Sequence, residues 1–502
     1  MHLVDYLIEI KNLLIERSNK MVSKISFIIR FLVVFTFAFS IQTLRAENLL
    51  EVIDLAFKNS YEYLSKVDTF NADYAYQGLA KSYILPTIDL TADARESRLV
   101  QNYDTSTALT PDINSNTPYL GAAITLTQPL FDKAAWAYYG QSKLLAERAQ
   151  IQLDNDRNTI ILKGVQYYLE VLSARDHLEF ATSQKQLLIQ QLQETRQQAR
   201  VGTIKRVDID QVIAEERNAE YDLINARNNL RVKQDQLNKF INKEVTEYAV
   251  VKDGVQNLKL STPNLQDWLD TASKGNLDVL YNQISVKIAD KDIAVTKSGY
   301  YPSLSLVGSY GLNDTKDAYN NDAKYNEQDG YIGLSLKMNL FQGGNTANLT
   351  KQKKFTKSSL EYNLKDLENQ VAVTTKQYFL DVADGSAQVT ALERALISSR
   401  NYLESARASY AVGLKTTTDV LLAEKDYYDA EQSFSDSQYQ YLMSILSLKG
   451  SAGILTIKDV EQISEYLVIA NSQNNQNNQT INNPATDNQK SSTQEINSQQ
   501  KQ

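Results

Sequence analysis

Leu85-Pro86-Thr87-Ile88-Asp89-Leu90-Thr91-Ala92-Asp93-Ala94 alternates residue by residue after its proline. Ile88, Leu90, Ala92 and Ala94 fall on one side, and Thr87, Asp89, Thr91 and Asp93 on the other. An extended chain, whose side chains point to opposite faces in turn, sorts residues in this way. The pattern recurs at Ala122, Ile124 and Leu126 against Ala123, Thr125 and Thr127, and at Leu304 and Leu306 against Ser303 and Ser305. It appears a last time at Ile332, Leu334, Leu336 and Met338 against Gly333, Ser335 and Lys337. Four strands of about 10 residues are therefore expected, two in each half of the chain. The loops joining each pair, about Glu96 to Tyr119 and Leu312 to Gly330, are long and rich in Asn, Asp, Thr and Tyr.

Outward from the strands the sequence changes character. Between Lys133 and Ala199 there is no proline and there are only two glycines, Gly140 and Gly164. A continuous helix over that stretch would be about 100 Å long at 1.5 Å per residue. A second such stretch runs from Asn348 to Ala411. Helices of this length need lateral partners, and heptad stepping supplies them. Leu360, Leu364, Leu367, Val371, Thr374 and Tyr378 advance by four and three, a seam that stays on one face when helices supercoil. Val212, Glu216, Ala219, Leu223, Ala226, Leu230, Lys233, Leu237 and Phe240 keep the same step.

Composition excludes several kinds of protein. The chain of 502 residues carries a formal net charge of -8 and no long basic run, which argues against a nucleic-acid partner. There are no cysteines and only two histidines, His2 and His177, so thiol chemistry and histidine-rich metal sites are absent. No phosphate-binding glycine motif stands between a strand and a helix. Neither cofactor nor metal is expected, nor is an enzyme; His177, beside Asp176, reads as a solvated surface residue.

Lys20 and Lys24 precede an apolar run from Phe31 to Ile41, and Ala46 follows ahead of a polar sequence, the grammar of a secretory signal. Residues 1–46 are expected to be a leader cleaved after Ala46, with Met21 an alternative start; Arg30 interrupts the apolar block, which is too short to span a bilayer. In a secreted chain, alternating strands with one apolar face and long polar loops suit an outer-membrane barrel. Four strands cannot close a barrel, and lipid does not tolerate an open edge, so the barrel must be shared by several chains. The alternative is a periplasmic coiled-coil adaptor or structural protein of an export complex, which the heptads support and the strands do not.

The chain also repeats itself. Tyr410-Ala411-Val412-Gly413-Leu414-Lys415-Thr416-Thr417-Thr418-Asp419 echoes Ala199-Arg200-Val201-Gly202-Thr203-Ile204-Lys205-Arg206-Val207-Asp208, with Gly and Asp six residues apart in both copies. Gly202 and Gly413 should close long helices in the left-handed conformation glycine tolerates. Thr416 and Asp419 have the spacing of a capping box, whereas Lys205 stands at the equivalent position of the first copy and suggests no cap there, leaving Asp208 to pair across the helices. Two halves are expected, 47–255 and 256–470, each with two strands and long helices and with connecting segments between them. An Asn/Gln-rich tail at 471–502 cannot bury enough apolar surface to order itself.

These pieces resemble, in order and over the whole mature chain from Glu47 to about Leu455, the TolC and outer-membrane efflux protein family. The resemblance rests on Glu47-Asn48-Leu49, the stretch from Leu85 to Leu90, Leu126-Thr127-Gln128-Pro129-Leu130-Phe131-Asp132, Gly333-Leu334-Ser335-Leu336 with Phe341-Gln342-Gly343-Gly344, and Tyr410 through Leu421. It continues in Tyr439-Gln440-Tyr441-Leu442 and in Ser451 to Leu455. It implies an α+β membrane protein: a homotrimer sharing a 12-stranded outer-membrane β-barrel, continued by a long α-helical barrel with coiled-coil packing into the periplasm. It also implies export of drugs, toxins or secreted proteins, with a periplasmic adaptor (membrane fusion) protein and an inner-membrane RND, ABC or MFS transporter as partners. Pro86, Pro129, Pro302, Gly343 and Gly344 would mark strand–helix junctions. Asp419 would contribute to a carboxylate ring at the periplasmic gate, with Asp208, Lys415 and Tyr410 tethering adjacent coils. The sequence departs from the family pattern at Leu422, where a second ring aspartate is expected, at Lys415, which replaces arginine, and at Val207, which replaces a hydroxyl residue.

Overall fold

The computed structural model describes residues 48–102, 104, 113–202, 205–245, 248–252, 254–258, 262–316 and 324–469. The expected leader and the Asn/Gln-rich tail lie outside the described residues.

The described chain opens with two helices, α1 (Leu49–Asn59) and α2 (Tyr61–Ser82), then a hairpin of β1 (Thr87–Gln101) and β2 (Ile113–Phe131). The long helix α3 (Lys133–Arg200) reverses into α4 (Arg206–Ile241). After β3 (Ala249–Val251) come α5 (Leu265–Gly275) and α6 (Leu277–Lys297), then a second hairpin, β4 (Ser303–Lys316) and β5 (Lys324–Lys337). A second long helix, α7 (Asn345–Ala411), reverses into α8 (Thr417–Ser451), and α9 (Ile457–Ser464) and β6 (Leu467–Ile469) close the described chain. The two continuous helices expected from the absence of breakers are thus present, α3 with 68 residues and α7 with 67. Each is about 100 Å long.

The two hairpins join in one antiparallel sheet of order β1-β2-β4-β5, so β1 and β5 are its edges. Register sorts the faces as the alternation requires. Leu90, Ile124 and Tyr310 line up in one row with Gly330, and Ile88, Leu126, Gly308 and Ile332 in the next. Asp89, Thr125, Ser309 and Tyr331 make a row of the opposite parity. Within the single chain the apolar row is uncovered, with Ile88 72% and Leu334 67% exposed. The strands are longer than the apolar alternation suggests, at 15, 19, 14 and 14 residues. They extend into the expected loops, because Asn, Thr and Ser keep the extended backbone paired after the hydrophobic signal has ended. Among the described residues no helix is long and apolar enough to cross a membrane.

Below the sheet, α2, α3, α6 and α7 pack side by side in that order; farther along, α4, α3, α8 and α7 do so. α3 and α7 therefore run through both layers, while shorter helices flank them. The best-buried core lies where the layers meet: Leu49, Val52 and Ile53 of α1, Tyr168 and Leu172 of α3, Leu237 and Ile241 of α4, and Leu442 and Leu446 of α8. Gly164 belongs to this junction, since a Cβ there would come within 2.5 Å of the Ile53 Cδ1 atom.

The seam of α4 is buried or half-buried at every expected position from Val212 to Phe240. On α7 the seam shifts by one residue: Thr375 is fully buried and Thr374 is exposed. A helix of 3.6 residues per turn drifts against a strict heptad, and an extra step of four absorbs the drift. His177 also departs from expectation. Its Nε2 lies 2.9 Å from the Asp436 Oδ1 atom, which also accepts from the Ser173 hydroxyl at 2.8 Å, and Gln432 donates to its Nδ1 at 3.2 Å. Asp176 accepts from Ser435 at 2.9 Å and Tyr439 at 2.6 Å. A polar helix surface, read as solvated, is here a seam between α3 and α8 built of reciprocal hydrogen bonds.

Candidate functional site

The two helix reversals carry the repeated motif. α3 passes through Val201 to Gly202 at φ 77°, and α7 passes through Val412 to Gly413 at φ 79°. At the second reversal Leu414 donates its N–H to the Ser409 carbonyl at 2.9 Å and Gly413 donates to Tyr410 at 3.0 Å, closing the helix in the glycine-dependent manner. A Cβ at either glycine would meet nothing within 4 Å, so it is the left-handed backbone that calls for glycine there.

α8 begins with the expected capping box. The Asp419 carboxylate accepts from the Thr416 N–H at 2.8 Å and from its hydroxyl at 2.7 Å, and Thr416 Oγ1 in turn accepts from the Asp419 N–H at 3.3 Å. The Thr416 hydroxyl and N–H, and to a lesser degree the charge of Lys415, hold the Asp419 carboxyl below its ordinary value. α4 corrects the expectation that Asp208 is free of capping. Asp208 accepts the Lys205 N–H at 3.1 Å, the half of the box that needs only backbone from its partner. The Lys205 ammonium has no lone pair to return the bond.

The predicted tethers separate. Tyr410 reaches across to α3, donating to Gln198 Oε1 at 2.9 Å, and receives a bond from Thr417 at 3.4 Å. Lys415 folds back onto its own coil, 3.0 Å from the Tyr402 hydroxyl and 4.3 Å from the ring centroid. Within one chain, then, Lys415 and Asp208 each take another partner. Leu422 is exposed and Asp419 half-buried, and the two stand three residues apart, so they share a face of the first turns of α8.

Sequence reasoning missed the contacts that complete the second coil. Thr418 donates to Gln211 at 3.0 Å, and Arg407 pairs with Glu424 at 3.1 Å. The Glu424 side chain is 5% exposed, and burial raises its carboxyl against the opposing pull of Arg407. Neither pair is a recognisable motif; only knowing that the helices reverse at Gly413 would set residues 407 and 424 in register.

At the other end of the helices the junction residues divide by role. Pro86 and Pro302 directly precede β1 and β4. Pro129 sits inside β2 at the point where its register against β4 shifts, a bulge that needs no amide there. Asp132 caps α3 by accepting from Ala134 at 2.9 Å and Ala135 at 3.1 Å. α7 instead starts after Gly343 and Gly344, with φ of 60° and 81°. No group of acidic or histidine side chains among the described residues is arranged to hold a metal ion.

The chain matches the outer membrane efflux protein family over residues 67–243 and 268–453. It is 29% identical to the outer membrane protein TolC of Vibrio cholerae, over 85% of this chain and 95% of that one. It is 24% identical to the alkaline protease secretion protein AprF of Pseudomonas aeruginosa, over 84% of this chain and 88% of that one. The fold is similar to that of the Campylobacter jejuni CmeC outer membrane channel, with a TM-score of 0.70 at 18% identity, covering 84% of this chain and 90% of that one. Strands, long helices and sequence agree: the chain belongs to the outer membrane efflux protein family, whose members are outer-membrane channels extending into the periplasm.

Proposed function

We propose that three copies of this chain assemble as one channel, their sheets closing into a 12-stranded barrel in the outer membrane and their helices into a hollow cylinder below it. The observation that carries the reading is the four-stranded sheet, whose apolar face is uncovered and whose edge strands β1 and β5 each lack a second partner among the described residues. In lipid every backbone amide and carbonyl must be paired, so such a sheet needs a neighbouring β5 on its β1. Drugs, toxins or secreted proteins would be passed to the channel by an inner-membrane RND, ABC or MFS transporter through a periplasmic adaptor. The name of the AprF relative favours protein cargo among these. The halves 47–255 and 256–470 would be the two repeats of a duplicated chain.

The reversals at Gly202 and Gly413 would form the periplasmic end, with Asp419 and Leu422 of three copies constricting it. A ring of Asp419 carboxylates attracts cations, and Leu422 adds an apolar collar where a second acidic ring would otherwise stand. Tyr410, through Gln198, ties the two coils of one chain. Asp208 and Lys415 are left to meet between chains, where lysine lacks the two-pronged geometry of arginine and makes a weaker tether.

The absence of cysteine makes a direct test available. One cysteine placed in β1 and one in β5, scanned through neighbouring registers, should cross-link on oxidation into a covalent trimer, whereas either cysteine alone should give no trimer ladder. Purified protein should open channels in a planar bilayer, with cation selectivity reduced by Asp419→Asn. A protein that leaves membranes in salt without detergent, or that forms no channel, would overturn the reading.

A further inference from the structure

Just below the His177–Asp436 contact, α4 and α8 part on either side of α3 and leave a cleft of about 590 Å³. Its size is that of a small-molecule site. The floor is apolar, made where Leu188, Ala219 and Leu421 pack together. Phe180 and Tyr428 face the space from α3 and α8, and Tyr221 rims it from α4. Burial pushes the Tyr428 phenol up to about 12, so it presents a neutral ring.

The charges around this aromatic lining are unbalanced. Glu215, Asp222 and Asp429 border the cleft, and none makes a side-chain hydrogen bond or ion pair among the described residues. Lys425 is the single cationic side chain of the lining. Glu424, only 4% exposed, belongs to the same wall. Its Oε1 takes the bond from Arg407, while its buried Oε2 has no hydrogen-bond partner. A buried carboxylate oxygen without a donor is costly unless a cation or donor reaches it.

We propose that this cleft is a binding site for an amphipathic organic cation, an ammonium or similar head on an aromatic body. The head would sit among the carboxylates, where ring faces add cation–π attraction, and the body would lie on the apolar floor. An inorganic ion would leave the aromatic and apolar walls unused. The inference does not depend on the channel reading, since all the lining comes from one chain.

The test is calorimetric titration of the full-length protein in lipid nanodiscs with benzyltrimethylammonium, and with its uncharged isostere neopentylbenzene. Saturable binding of the cation and none of the isostere are expected. The triple variant Glu215→Gln, Asp222→Asn, Asp429→Asn changes only carboxylates without partners and should weaken binding by about tenfold. Tyr428→Leu keeps bulk but removes a ring and should weaken it by about threefold. Absence of saturable binding, or equal binding by wild type and the triple variant, would overturn the proposal. Bilayer conductance of the same preparations separates the two readings: a conducting channel that does not bind the cation sinks this site alone.

Discussion

At the α7–α8 reversal, Thr416 and Asp419 exchange three hydrogen bonds, and farther along the same coil Arg407 and Glu424 form a pair in which the carboxylate is buried. At the α3–α4 reversal, Asp208 receives the Lys205 N–H, and the ion pair along that coil nearer the reversal, Lys185–Glu220 at 3.1 Å, has side chains 20% and 37% exposed. The glycine and aspartate that define the repeat are common to both. What differs is the residue three before the aspartate, threonine in one copy and lysine in the other, and the depth at which the coil's charges sit. The same backbone turn is thus tied down at its second occurrence and only half tied at its first.

The sharpest way to break this comparison is Arg407→Ala, which leaves the Glu424 carboxylate buried without its counter-charge. A loss of about 3 kcal/mol is expected, read as a lower unfolding temperature and faster amide exchange in α7 and α8. Lys185→Ala on the other coil should cost under about 1 kcal/mol, because its pair is wetter. Next in size, Thr416→Ala removes the hydroxyl half of the capping box and should cost about 1 kcal/mol, seen as faster exchange at residues 417–420. Lys205→Ala should leave α4 unchanged, since its contribution to Asp208 is the backbone N–H.

The smallest effect concerns pH. Asp419 is held below its unfolded value, near 4, so its capping contribution is complete at neutral pH and is lost only as pH falls through the folded value. Exchange protection of the first turn of α8 should stay flat from pH 7 to about 5 and decline below about 4. A decline near pH 6 would mean that another group governs that turn.

Much of this architecture is legible in the sequence because it depends on simple periodicities. The end of α7 at Ala411 and the start of α3 at Lys133 fall where breakers resume. The apolar and polar rows of the sheet follow from alternation alone. Strand ends were less legible: β2 already begins at Ile113, within a stretch whose polarity reads as loop, because strand pairing is a backbone property. In the candidate site, the glycines and the Thr416–Asp419 box are local and therefore readable. Gln198, Gln211, Tyr402 and Arg407 are not, since each acquires its role from a residue brought near by the fold. His177 misleads for the same reason, its partners lying more than 250 residues away.

The starts of α3 and α7 have a mechanical consequence. An unbroken helix of 67 residues joins its far end to its root without an interruption. The root of α3 is riveted, with Asp132 gripping two amides and a bulged strand immediately behind it. The root of α7 follows two consecutive left-handed glycines, Gly343 and Gly344, where an added Cβ would find no contact closer than 3.6 Å. The two shafts are thus mounted differently, one by a side-chain cap and a bulge, the other by glycine backbone with the Asn345 N–H on the Gln342 carbonyl at 3.1 Å and by the Lys357–Asp290 pair at 2.8 Å on its flank.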